Sequence, residues 1–161
     1  MATDYEMSQA SIAFDILCET LDDMGWTYTK DPDKLTIYSG ASGEDIPIDL
    51  RIEVDPDKQL VSLLSLLRFE VPESDRIELA LAVCTVNHIL VDGNFDYNVF
   101  DGKIIFRLTS CIKNTIVSKE LFKYIILVSC KTVDDYNDSL YMLSNKQIDL
   151  SQFEKKINGE L

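Results

Sequence analysis

The chain has one histidine, His88, and it follows Cys84 by four residues in the segment DRIELALAVCTVNHILV. On a helix that spacing makes the two side chains neighbours, and a cysteine beside a histidine is the arrangement that generates a thiolate nucleophile. The wheel of this segment puts Cys84 at the centre of the buried apolar face, where a thiolate is disfavoured. The pair is therefore read as structural. Cys18, Cys111 and Cys130 stand apart with no C-x-x-C among them, so all four cysteines read as small buried hydrophobes. With one histidine and unpaired cysteines, no structural zinc site is expected. The sequence has no G-x-x-x-x-G-K, G-x-G-x-x-G or G-x-S-x-G, which removes the phosphate cradles and the serine elbow. The acidic groups Asp55/Asp57, Glu73/Asp75 and Asp134/Asp135/Asp138 lack the alternation and closing glutamate of a calcium loop; they read as solvated surface. The expectation is a non-enzyme with no catalytic residue, cofactor or metal.

The elements that position these residues belong to a chain of 161 residues, 46% apolar, long enough for a proper core and expected to be a single domain over residues 1–161. A net charge of −13 and a pI near 4.3 disfavour binding to nucleic acid or an anionic membrane. Acidity on this scale serves solubility, or forms an acidic face that mimics nucleic acid or meets a basic partner. Met1 is followed by polar and acidic residues rather than a signal peptide, and no apolar run reaches membrane-spanning length; a reducing cytoplasm is the expected location.

Ala10, Phe14, Leu17, Leu21 and Met24 recur at helical spacing, with Thr3 and Glu6 as a capping box and Gly25 as the stop. Strand patterns follow around Trp26–Lys30 and Leu35–Ser39, joined by the turn Asp31-Pro32-Asp33-Lys34. Gly40–Asp45 reads as loop. Ile46–Val54 alternates strictly, Ile48, Leu50, Ile52 and Val54 against Asp49, Arg51 and Glu53, as in a strand with one face in water. Asp55-Pro56-Asp57-Lys58 repeats the earlier turn. Leu60–Val71 is apolar on both parities. If Val61, Leu63 and Leu67 face the core, then Leu60, Leu64 and Leu66 point the other way, either covered or forming an exposed patch of the kind monomers rarely leave bare.

The helix from Glu73 to Val91 is apolar over more than half its circumference, with Ile77, Ala80, Leu81, Cys84 and Val91 on one face and Leu79, Val83, Val86 and Leu90 on another. It should be mostly buried, with Asn87 hydrogen-bonded to backbone. Asp101-Gly102 predicts a two-residue I′ hairpin between strands carrying Phe95, Tyr97 and Val99 on one side and Ile104, Phe106 and Leu108 on the other, with Ile105, Arg107 and Thr109 facing away. Ser118 caps a long helix to about Leu143, and Asp149 with Gln152 caps a short helix at about 149–158.

The segments Val71-Pro72-Glu73-Ser74, Asn87-His88-Ile89-Leu90, Gly93-x-Phe95, Asp101-Gly102, Phe106-Arg107 and Ser118-x-Glu120-Leu121 resemble the YbjN-type domain family, labelled bacterial sensory transduction regulators, across residues 8–143. The resemblance implies an α+β fold similar to type III secretion chaperones, in the order α-β-β-β(-β)-α-β-β-α: an antiparallel sheet of five or six strands with helices on one face. Such chaperones are small, acidic and often dimeric, and bind an extended partner segment. Arg107 matches the family's arginine after phenylalanine. Two features depart from the family pattern: the additional Asp149–Ile157 helix, and a last helix without the basic, proline-bearing end. The expected role is a protein- or peptide-binding module, chaperone-like or regulatory, with Leu60, Leu64, Leu66 and Arg107 as the candidate partner or homodimer surface. The alternatives are an acidic nucleic-acid mimic and a small-molecule-binding domain.

Overall fold

The computed structural model describes residues 1–159. Helix α1 (Asp4–Asp23) begins at the expected capping box: Thr3 Oγ1 accepts from the Glu6 N–H at 3.2 Å, and Glu6 Oε2 accepts from the Thr3 N–H at 2.9 Å. The Thr3 backbone N–H, and the Thr3 hydroxyl donating to the same oxygen at 3.0 Å, hold the Glu6 carboxyl below the usual carboxylate range. Gly25, at φ +68°, stops the helix.

Six strands follow: β1 (Tyr28–Asp31), β2 (Thr36–Ala41), β3 (Ile48–Asp55), β4 (Leu60–Glu70), β5 (Asn94–Asn98) and β6 (Lys103–Cys111). All pair antiparallel in the order β1-β2-β3-β4-β6-β5. The β1–β2 and β3–β4 hairpins are closed by the two Asp-Pro-Asp-Lys turns. In each, the first aspartate accepts from the lysine N–H, Asp31 from Lys34 at 3.3 Å and Asp55 from Lys58 at 2.9 Å. The next residue then takes a left-handed conformation, Leu35 at φ 49° and Gln59 at φ 55°, as in a type I turn followed by a bulge residue. Strand β2 runs through Gly40 to Ala41, into the stretch expected to be loop, and β3 begins at Ile48, after Pro47 rather than before it.

A 3₁₀ turn (Glu73–Asp75) leads into α2 (Arg76–Ile89); α3 (Lys119–Ser144) starts at the Ser118 cap and α4 (Leu150–Ile157) at the Asp149–Gln152 capping box. One sheet face is covered. Its residues, among them Ile37, Ile52, Val61, Leu63, Ile104 and Phe106, join Leu17 and Leu21 of α1 and Phe122 and Ile126 of α3 in one core.

Two expectations are corrected. Helix α2 is only half buried: Leu79, Ala82, Val83 and Val86 pack inward, while Ile77 is 74% and Leu81 55% exposed and Cys84 faces solvent. Val91 lies beyond the helix and is exposed. Helix α2 sits beside the edge strand β5, where one stripe suffices to close the core. The β5–β6 connection is not a two-residue turn. Asn98 pairs with Lys103, leaving Val99, Phe100, Asp101 and Gly102 as the loop, closed by the Gly102 N–H donating to the Asn98 carbonyl at 2.8 Å. Gly102, at φ +76°, carries the positive-φ requirement of this longer loop.

Candidate partner-binding face

The other sheet face carries the candidate residues. Strand β4 is central, yet its outward parity is uncovered: Leu60 and Leu64 are half-buried and Leu66 is 47% exposed. The register lines up a row across the sheet. Thr29 stands opposite Tyr38, Tyr38 opposite Arg51, Arg51 opposite Leu64, Leu64 opposite Arg107, and Arg107 opposite Asn94. Leu64 therefore sits between two arginines, each one strand, about 4.8 Å, away. Two positions along β4, Leu66 faces Ile105 of β6.

Two shallow concavities meet at Leu64. One, of about 440 Å³, is formed by Tyr38, Ser39, Asp49, Leu50, Arg51, Leu64, Leu66 and Ile105. The other, of about 420 Å³, is formed by Glu53, Asp55, Lys58, Leu60, Ser62, Leu64, Arg107 and Thr109. The first is mainly apolar, and the second is more polar, with charged residues around its two leucines. All four candidate residues, Leu60, Leu64, Leu66 and Arg107, thus lie on this face. Tyr38, Arg51 and Ile105 join them. Alternation alone put Arg51 and Ile105 on the outward parity, and the strand order brings all three beside the leucines.

The charges on this face are arranged in pairs. Arg68 spends its fork on Asp49, with Nε and Nη2 donating at 2.8 and 2.6 Å. Arg107 reaches Asp96 Oδ2 of β5 through one terminal nitrogen at 2.6 Å, and Asn94 donates to the other oxygen of Asp96 at 2.6 Å. Arg51 meets Glu53 through Nε alone, at 2.9 Å. At the rim, the Lys58 backbone N–H holds the Asp55 carboxyl below its ordinary range. Three of the chain's four arginines are thus on one face of a protein with net charge −13. Exposed ion pairs of this kind contribute at most about 1 kcal/mol each, so they shape recognition more than stability.

The residues first considered for chemistry lie elsewhere. Cys84 and His88 share the exposed side of α2, contrary to the buried placement expected for Cys84, and Cys111 is exposed at the end of β6. Among the described residues no hydrogen bond joins or orients Cys84 and His88, and no group of three His, Cys, Asp or Glu side chains is placed to hold a metal ion. No helix of the described residues is long and apolar enough to cross a membrane.

No family model and no curated protein matches the sequence. Solved structures do match in fold. YbjN from E. coli superposes with a TM-score of 0.58 at 15% identity, over 83% of this chain and 92% of that one. A chain of the HopA1–SchA chaperone–effector complex gives 0.55 at 12%, over 82% and 97%. One of the ExsC–ExsE complex gives 0.52 at 11%, over 79% and 94%. The chain has the α+β fold shared by YbjN and by these chains of the HopA1–SchA and ExsC–ExsE complexes, its described residues forming a six-stranded antiparallel sheet and four helices.

Proposed function

We propose that the chain is a non-enzymatic protein- or peptide-binding module of the cytoplasm, chaperone-like or regulatory, which docks its partner on the open sheet face around Leu64. One observation carries the reading. Central strand β4 leaves Leu66 exposed and Leu60 and Leu64 only half-buried beside Ile105 and Tyr38, although the described residues form four helices that could cover them. Apolar surface kept in the middle of a sheet costs solubility unless a partner covers it. The fold likeness to a chaperone–effector complex supports the same role. Homodimerisation is supported by a second surface, the exposed apolar stripe Ile77–Leu81–Cys84 on α2.

The acidic-mimic reading needs unpaired carboxylates along one face, and on the sheet face Asp49, Glu53 and Asp96 are each held by an arginine. The small-molecule reading needs an enclosing cavity, and the concavities here, although large enough in volume, lie open to solvent along the sheet face.

The test is site-specific photo-cross-linking in cells with a benzophenone side chain at position 66, compared with position 12 on the outer side of α1. Discrete heavier adducts from position 66 and none from position 12 support the reading. Adducts at twice the chain's mass identify the partner as a second copy. No adducts from position 66, or the same ones from both positions, would remove it.

A further inference from the structure

Resting on that docking reading, the geometry points to the chemistry of the partner: an extended segment that carries a carboxylate two residues from a bulky apolar side chain. The two subsites are fixed by register. Arg51 and Arg107 flank Leu64 in one row, with Tyr38 next in that row beyond Arg51, and the apolar pair Leu66 and Ile105, which forms the far part of the apolar depression, lies two residues farther along β4. Two residues of extended chain span about 6.7 Å, so the same spacing in a segment laid along β4 puts one side chain at the arginine row and the next on the same side in the apolar depression.

The arginines are the reason for a carboxylate. Arg68 has committed both limbs of its fork to Asp49, but Arg51 uses only Nε and Arg107 only one terminal nitrogen. Among the described residues no further acceptor engages either of them, so each keeps donors that fit a carboxylate. Elsewhere the surface carries the bulk of the chain's excess negative charge. An acidic segment is repelled there and accepted at this row, which gives register as well as attraction. A basic segment would instead be drawn to acidic surface at many places without register.

The test is an NMR titration of the full chain with the peptide Ser-Gly-Glu-Ser-Phe-Gly-Ser, and separately with the same peptide carrying Lys in place of Glu. The signals followed are the Arg51 and Arg107 side-chain Nε–H groups and the Leu64 and Leu66 methyls. The acidic peptide should shift all four sets, and Arg51→Gln with Arg107→Gln should weaken its binding about tenfold, the scale of one or two charged hydrogen bonds. Both arginines are exposed, so the variant should keep its fold, which the core methyl spectrum checks. If the lysine peptide shifts the Leu64 and Leu66 methyls as strongly as the acidic one, the docking face stands and the partner chemistry falls. If neither peptide moves them, the inference falls, and the cross-linking from position 66 then decides the docking reading separately.

Discussion

Asn87 and Phe95 exchange two hydrogen bonds: Asn87 Nδ2 donates to the Phe95 carbonyl at 2.9 Å, and the Phe95 N–H donates to Asn87 Oδ1 at 2.8 Å. The amide stands in for a seventh strand at the free edge of β5, satisfying backbone groups that would otherwise be buried unpaired or left as a template for aggregation. Asn87→Ala should cost about 1–3 kcal/mol, the penalty of orphaning buried polar groups, and should raise aggregation at elevated temperature. Urea unfolding followed by light scattering checks both. An unchanged urea midpoint would contradict the role.

Gly102 is required sterically as well as conformationally. A Cβ there would lie 2.4 Å from the Val71 carbonyl oxygen, and the Val71 N–H already donates to the Gly102 carbonyl at 2.9 Å. Gly25 has a similar φ, +68°, with open space around it. Gly25→Ala should therefore cost only the left-handed penalty of about 1–2 kcal/mol, and Gly102→Ala clearly more. Equal losses in thermal melts of the two variants would contradict this account.

Asp75 is buried at the start of α2 and meets Lys146 Nζ at 2.6 Å, with Glu78 at 3.0 Å from the same nitrogen. The bond to Lys146 holds the Asp75 carboxyl below its usual range, and the two carboxylates hold the Lys146 ammonium above its own. For Asp75 the stabilisation is present above the unfolded value near 3.9 and is lost as pH falls through the lower folded value. For Lys146 it is present below about 10.4 and is lost as pH rises through the higher folded value. The urea midpoint of Asp75→Asn should lie below wild type at neutral pH, and the gap should narrow as pH drops below about 4. A gap unchanged down to the lowest pH would contradict the coupling.

The four cysteines fall into two classes. Cys84 and Cys111 are exposed; burial pushes the Cys130 thiol up to about 11 and also raises Cys18. Ellman's reagent should titrate two thiols rapidly in the native protein and the other two only on unfolding. Four thiols reacting in one phase would contradict the placement.

What could be read in advance was local. Thr3–Glu6, the two Asp-Pro-Asp-Lys turns and the alternation of Ile48–Val54 announce themselves within a few residues, because caps, turns and pleats are short-range geometry. The outward parity of Leu60, Leu64, Leu66 and Arg107 was legible for the same reason. The exposure of Ile77, Leu81 and Cys84 was not: a helix apolar on two faces does not say which faces the sheet, and α2 beside an edge strand needs only one. The hairpin loop was misread because Gly102 answers to Val71, a contact invisible to any local window. The Arg51–Leu64–Arg107 row depends on β6 inserting between β4 and β5, a long-range pairing.

The most direct test of the docking face compares neighbours on β4. Leu63 is fully buried and Leu64 points to the open face. Leu63→Asp should abolish folding, because it buries an unpaired charge. Leu64→Asp should keep the circular dichroism and cooperative melt of wild type while eliminating the cross-linked adducts from position 66. If Leu64→Asp unfolds as Leu63→Asp does, or folds and still yields the adducts, the open face is not the binding surface.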